Sequence, residues 1–101
     1  MASTIVIWRC EVKVKFFADI RDITKSKETD IEAPKNILAL LYQLSDLYGI
    51  KMKEKLIGED GRLHPDIIVL LNGRHIEFLN FDESDLNEDD VVSLFPRIAG
   101  G

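Results

Sequence analysis

Residues 91–101 read Val91-Val92-Ser93-Leu94-Phe95-Pro96-Arg97-Ile98-Ala99-Gly100-Gly101, and the rest of the sequence is best interpreted outward from them. The β-branched and aromatic residues from 91 to 95 predict a strand. Pro96 has no backbone N–H and therefore ends that strand. The residues after Pro96 cannot build a core, but they reach about 17 Å when extended. We expect a strand that leads into a slim tail.

The segment before this strand predicts a hairpin and a connection. Residues 66–71 form an apolar run that is typical of a strand buried on both faces. Asn72-Gly73 predicts a tight turn, because both turn positions need a positive φ. Residues 74–78 then return as a fourth strand, and residues 79–90 are an acidic connection to the last strand.

The N-terminal third predicts two more strands. Alternation of apolar and charged residues from Cys10 to Ala18 indicates a half-buried strand. Residues 28–33 predict a weaker second strand, antiparallel to the first, and residues 19–25 between them are expected to be a turn or short loop. Residues 1–9 either extend the first strand backwards or form a separate end.

A single long helix is predicted between the second and third strands. Asn36 is a good N-cap, and Gly49 stands where a left-handed C-terminal cap is expected. A short helical turn over 51–57 and a loop over 58–61 follow. The order predicts an α+β fold with one main helix packed across about five strands. The apolar face of this helix is expected to hold Ile37, Leu40, Leu41, Leu44, Leu47 and Tyr48.

Composition restricts the function. The chain has 101 residues, a formal net charge of −5 and a pI near 4.9, so nucleic acid is not an expected partner. Cys10 is the only cysteine, which excludes an internal disulfide and multi-cysteine metal sites. Residues 4–8 are too short an apolar run to span a membrane or serve as a signal core. We expect a cytoplasmic protein.

No catalytic constellation is recognisable. Ser45 and Ser93 lie in no nucleophile motif. His64 and His75 are isolated from other ligands at suitable spacing, so no metal site is predicted. Cys10 is most simply a small buried or edge residue.

An acidic run precedes the last strand. Its spacing does not match the calcium-binding loop, which needs a glycine at the sixth position and a glutamate at the twelfth. Either a solvated loop or a docking site for a basic partner surface fits this run. The six carboxylates are Asp82, Glu83, Asp85, Glu88, Asp89 and Asp90.

Several motifs together carry a family resemblance. The order of elements, Phe16-Phe17-Ala18, the Asn72-Gly73 turn, Phe95-Pro96 and Ala99-Gly100-Gly101 resemble the small subunit of molybdopterin synthase (MoaD-like). That family belongs to the ubiquitin-like β-grasp sulfur carriers, and the likeness runs from about Cys10 to Gly101. It implies a β-grasp domain over 10–96, an N-terminal extension over 1–9, and a flexible tail over 97–101.

Two positions depart from that family. A second proline is common where this chain has Arg97, so a less stiff tail is expected. An Asp-Gly-Asp is common before the last strand, whereas Glu88-Asp89-Asp90 holds no glycine.

The resemblance also implies a chemistry. An E1-like enzyme would adenylate the carboxylate of Gly101 with ATP, and a persulfide protein would supply sulfur to give a thiocarboxylate. The large synthase subunit would then pass this sulfur to a pterin precursor of the molybdenum or tungsten cofactor. This chain would be the non-catalytic, sulfur-donating subunit and would bind no cofactor. Phe95 and Pro96 would dock on the partner, with Ile98 as a further anchor, and the residues threading into it would be Arg97, Ile98, Ala99 and Gly100.

Two alternatives remain open. The same tail chemistry would suit a ubiquitin-like protein modifier, or a sulfur carrier for tRNA thiolation or thiamine synthesis. A plain binding module would instead use the acidic face and never activate its terminus.

Overall fold

The computed structural model describes residues 11–32 and 34–97. In chain order the elements are β1 Glu11–Phe16, α1 Asp19–Thr24, β2 Glu28–Glu32, α2 Ile37–Tyr48, α3 Ile50–Leu56, β3 Ile67–Leu71, β4 Arg74–His75, the 3-10 turns Ile76–Phe78 and Phe81–Glu83, and β5 Val91–Pro96. The strands form one mixed sheet in the order β2-β1-β5-β3-β4, with β5 at its centre, and α2 packs against one face.

The two faces of the sheet differ in burial. Along β1, Val12, Val14 and Phe16 are buried in the core, whereas Lys13 and Lys15 between them are only half-buried. Successive side chains of a strand point to opposite faces, so the charged residues lie on the face turned away from α2. We call this second face the outer face.

Local chemistry sets the start of α2 as predicted. The Asn36 side chain accepts a hydrogen bond from the Ala39 N–H at 2.9 Å, which confirms the N-cap. At the other end, Gly49 has φ +95° and ψ −168°, so the predicted left-handed cap is wrong. The chain turns directly into α3 there, and the Gly49 N–H donates to the Ser45 carbonyl at 2.8 Å.

The buried face of α2 is rotated from the predicted stripe. Leu47 was expected in the core but is 60% exposed, because it lies at the margin of the stripe next to the helix end. Ser45 lies on the opposite margin and is buried instead, with its hydroxyl donating to the Leu41 carbonyl at 2.8 Å. Ser45 can lie in the core because its hydroxyl is hydrogen-bonded to a carbonyl one turn earlier in the same helix.

A short helix replaces the loop predicted over residues 19–25. Ile20 and Thr24 are both buried in α1, and their four-residue spacing places them on one face of a helix. Six residues are too few for a convincing helical period in the sequence, which explains the wrong prediction. No helix within residues 11–32 and 34–97 has the length and apolar character that crossing a membrane requires.

The predicted hairpin is confirmed at its turn but is shorter than expected. Asn72 and Gly73 have φ of 52° and 84°. The fourth strand pairs only over Arg74–His75, because the chain then enters a 3-10 turn that buries Ile76. Burial of β3 on both faces is also wrong, since Ile68 and Leu70 on the outer face are half-buried.

Candidate functional site at the end of the central strand

The predicted tail begins at the middle of the sheet. β5 pairs in parallel with β1 and antiparallel with β3, so it is hydrogen-bonded on both sides. Pro96 lies opposite Ile67 at the end of this pairing. The chain therefore leaves the sheet from its central strand, and the sheet provides a fixed base at this point.

Two aromatic rings mark this exit. Phe17, just after β1, stacks on Phe95 with ring centroids 4.3 Å apart and planes 11° apart. The guanidinium carbon of Arg21 lies 5.9 Å from the centre of the Phe17 ring, and its Nε donates to the Phe16 carbonyl at 3.2 Å. Such offset stacking and cation–π contacts hold planar groups in fixed orientations.

The stack continues into an apolar area of the outer face. Ile68 is the register partner of Phe95 across β3 and β5. Phe17, Ile68 and Phe95 are all half-buried, and we call them the tail-side patch. Apolar side chains grouped in this way on a sheet face are suited to contact with another protein.

Arg97 is fixed to the body of the domain. Its backbone N–H donates to the Asp66 carbonyl at 2.6 Å, and its Nε donates to the Pro65 carbonyl at 3.2 Å. A proline at this position would lack the first of these bonds. At position 97 itself, two hydrogen bonds restrain the chain where a proline would restrain φ, and the stiffness of the four residues that follow stays a prediction.

A cleft of about 340 Å³ opens beside Arg97. Its wall includes the ion pair between Lys55 and Asp19, and also His64 and Asp66. The four residues that follow Arg97 lie outside the described residues, as do Cys10 and Ala33. The threading roles predicted for Arg97, Ile98, Ala99 and Gly100, and the docking roles of Phe95 and Pro96, stay predictions.

Comparison with known proteins identifies the family. A model described as the ThiS family matches residues 14–101. The chain belongs to the ThiS family. It is 33% identical over 91 residues to the "Putative sulfur carrier protein" of Archaeoglobus fulgidus, across 89% of this chain and 98% of that protein.

Two solved structures extend the comparison. The small archaeal modifier protein 1 of Methanosarcina acetivorans is 30% identical with a TM-score of 0.77, over 93% of this chain and 99% of that chain. The "Putative molybdopterin converting factor, subunit 1" of Pyrococcus furiosus is 28% identical with a TM-score of 0.69, over 87% of this chain and 98% of that chain. The ThiS-family chain thus has the predicted ubiquitin-like β-grasp fold, and it belongs with sulfur carriers and ubiquitin-like modifiers.

Both histidines of this ThiS-family chain cap short turns. His64 Nδ1 accepts from the Asp66 N–H at 3.0 Å, and His75 Nδ1 accepts from the Glu77 N–H at 3.1 Å. Within residues 11–32 and 34–97, no group of three or more His, Cys, Asp or Glu side chains is placed to hold a metal ion. Each histidine thus accepts a hydrogen bond from the backbone two residues further on.

The acidic run contains one member that is not solvated. The Asp82 side chain is fully buried. One of its carboxylate oxygens accepts hydrogen bonds from Arg62 Nε at 2.9 Å and from the Leu63 N–H at 3.2 Å. The other carboxylate oxygen accepts a hydrogen bond from a second guanidinium nitrogen of Arg62. These donors hold the pKa of the Asp82 carboxyl below its usual range, with the Arg62 hydrogen bond as the largest cause, against an opposing effect of burial. Arg62 in turn has its pKa raised by Asp82. The solvated-loop interpretation is wrong for Asp82, and Glu83, Asp85, Glu88 and Asp89 are exposed.

Sequence reasoning did not place Phe17 or Arg21 at the site, and it missed the ion pair between Arg62 and Asp82. Phe17 continues the alternation of β1, so the sequence pattern could have predicted that its side chain lies on the outer face. Arg21 was hidden by the wrong loop prediction over residues 19–25. The Arg62–Asp82 pair joins residues far apart in the sequence, and no local signal points to it.

Proposed function

We propose that this chain is a sulfur carrier that holds a thiocarboxylate at Gly101 and serves as the small subunit of molybdopterin synthase. The observation that best supports this is the fixed exit of the chain at Phe95, Pro96 and Arg97. It stands directly before Ile98-Ala99-Gly100-Gly101, whose last two residues have no side chain. A glycine backbone can enter a narrow channel that a Cβ would obstruct.

The chemistry needs an activated acyl group, because a carboxylate is a poor electrophile. A carboxylate oxygen of Gly101 attacks the α-phosphorus of ATP, and pyrophosphate leaves to give an acyl-adenylate. A persulfide sulfur of a donor protein then attacks the acyl carbon, and AMP leaves. A thiol cleaves the resulting acyl disulfide, becomes part of a disulfide itself, and releases the thiocarboxylate.

The body of the chain contributes positioning. An E1-like activating enzyme supplies the ATP site, and the tail-side patch docks on that enzyme and later on the large synthase subunit. A covalently held sulfur is delivered at high effective concentration to a pterin precursor. Similarity to the Pyrococcus furiosus molybdopterin converting factor supports the pterin as the acceptor.

Intact-mass analysis tests this proposal. The chain is incubated with the activating enzyme of its own organism, ATP and a persulfide donor. We expect the mass to change by the exchange of one oxygen for one sulfur, and the product then to convert a pterin precursor when the large subunit is added. A chain lacking Gly100 and Gly101 is the control and should show no exchange. An unchanged mass for the full chain would contradict the proposal.

A second candidate function is protein modification, which the similarity to small archaeal modifier protein 1 favours. It shares the adenylation step but transfers the Gly101 acyl group to a lysine amine. Trypsin cuts after Arg97, so proteomic detection of Ile-Ala-Gly-Gly remnants on lysines, lost when Gly101 is deleted from the gene, would support it. Sulfur transfer to the pterin without such remnants would favour the synthase role.

A further inference from the structure

A second aromatic surface lies at the β4 edge of the sheet. Phe78 is 78% exposed, and Phe81, at the start of the next 3-10 turn, is 42% exposed. Leu79 between them is half-buried. We call these three residues the edge surface. Exposing an aromatic ring to water in this way forgoes about 2 kcal/mol of burial free energy, so two such rings together suggest a binding role.

A cleft of about 460 Å³ adjoins the edge surface. It is lined by Leu71, Phe78, Leu79, Asn80, Ser84 and Asp85. Ser84 is 4% exposed, and its hydroxyl oxygen has no hydrogen-bond partner among the described residues. Buried polar atoms are normally paired. The cleft is thus lined by three apolar and three polar residues, one of which has an unpaired hydroxyl, and it shares no lining residue with the cleft beside Arg97.

The edge surface is held in place by the rest of the domain. The His75 ring meets Phe78 edge to face, with centroids 6.3 Å apart and planes at 83°. The 3-10 turn of Phe81 is fixed by the neighbouring Asp82, through its bonds to Arg62 and Leu63. These contacts reduce the entropy that binding would otherwise cost.

Charge around the cleft selects the partner. Residues 76–85 contain four acidic side chains and no basic one. Asp82 is buried against Arg62, which also pairs with the exposed Glu83 at 3.3 Å, and Glu77 and Asp85 are exposed on the same segment as the aromatic rings. An acidic rim repels nucleic acids and anionic membranes and attracts cationic side chains.

We propose that the edge surface binds a basic amphipathic helix of a partner protein. Apolar residues of that helix enter the cleft between Phe78 and Leu79, and its Lys or Arg side chains contact the acidic rim. Addition of a strand is disfavoured, because β4 pairs over only two residues and offers a very short edge. Binding here leaves the tail-side patch free, so the helix and the tail-activating enzyme can be bound together.

Titration of the full-length chain with two peptides tests this. Each is about 15 residues long, the minimum for appreciable helix formation. The first has Leu at the i, i+3, i+4 and i+7 positions and Lys elsewhere, and the second has Glu in place of Lys. We expect the Lys peptide to shift the backbone amide NMR signals of residues 77–85, with an affinity that falls as salt rises, and the Glu peptide to cause no shift.

Two variants separate the edge surface from the tail-side patch. Phe78→Ser should weaken binding of the Lys peptide by about tenfold or more, as expected when a central aromatic contact is lost. Thiocarboxylate formation at Gly101 should stay at the wild-type rate. Phe95→Ser is the matched control and should bind the peptide as the wild type does.

Three results would overturn the proposal. These are equal binding of both peptides, shifts confined to the tail-side patch, and undiminished binding by Phe78→Ser. Shifts at residues 77–85 on dilution without any peptide would instead assign this surface to a second copy of the chain. Failure of thiocarboxylate formation would concern Gly101 alone and would leave the peptide result standing.

Discussion

Phe17 and Phe95 stack with centroids 4.3 Å apart, and this contact links the residue after β1 to the end of β5, just before the predicted tail. The two rings are distant in sequence but adjacent in space, because β1, which ends directly before Phe17, is the parallel neighbour of β5, which holds Phe95. One ring orients the other at the point where the chain leaves the sheet.

Removing one of these rings tests the tail-side patch as the docking surface. We expect Phe17→Ala to raise KM for the activating enzyme about tenfold with little change in kcat, because aromatic interface residues contribute mainly to binding. Steady-state rates of pyrophosphate release would measure this. Leu47→Ala is the control, since Leu47 is 60% exposed on α2 and lies outside the patch. Equal effects of the two substitutions would argue against docking through the patch.

Arg97 offers a test of how the tail is positioned. Arg97→Ala removes the Nε bond to the Pro65 carbonyl and should raise KM about threefold to tenfold, the range of one net hydrogen bond. Arg97→Pro loses both the N–H bond to Asp66 and the Nε bond to Pro65, but it fixes φ, so KM should rise less than in Arg97→Ala and stay within about twofold of wild type. Steady-state rates of pyrophosphate release by the activating enzyme would measure KM for both variants. If proline is the more harmful substitution, stiffness at this position is not what matters.

Ala18 is a site where glycine should stabilise the domain. Its φ of 55° and ψ of −132° disfavour any residue with a Cβ, and its side chain is exposed. We expect Ala18→Gly to raise the free energy of unfolding by about 0.5–1 kcal/mol. Ala39→Gly, inside α2, should lower it by a similar amount, about 0.5–1 kcal/mol. Urea denaturation measures both, and a loss of stability in Ala18→Gly would contradict the strain argument.

Local sequence chemistry predicted much of the fold. The Asn72-Gly73 turn, the Asn36 cap and the alternation of β1 each depend on neighbouring residues, and all three are confirmed. The predicted length of β4 and the loop predicted in place of α1 were wrong. Both segments are short, and their conformation depends on burying Ile76 and Ile20 in the common core.

The site was only partly predictable for a different reason. Phe95 and Pro96 stood out by their place before the glycines. The ring partner of Phe95 depends on β1 and β5 being parallel neighbours, which no local pattern specifies. The bonds of Arg97 to Pro65 and Asp66 likewise arise only when β3 and β5 pair.

Asp82 should be the acidic residue that stabilises the fold most. Asp82→Ala removes a buried carboxylate and leaves the Leu63 N–H without its acceptor, so we expect a loss of about 2–3 kcal/mol in the free energy of unfolding. Glu28→Ala is the control. Glu28 forms an ion pair with Lys13 between exposed side chains, and such pairs contribute little. A comparable loss in both variants, measured by urea denaturation, would show that Asp82 has no special role.

The same carboxylate predicts how stability depends on pH. Because its pKa in the folded state is below the usual value of 3.8, Asp82 stabilises the fold fully above that value. The stabilisation is lost as pH falls through 3.8 toward the lower folded-state pKa, since the unfolded chain then binds the proton more readily. Urea denaturation of wild type and Asp82→Asn between about pH 6 and pH 2 isolates this group. The stability difference between the two proteins should shrink as pH falls, and a difference that is constant or grows on acidification would show that the Asp82 pKa is not lowered by Arg62.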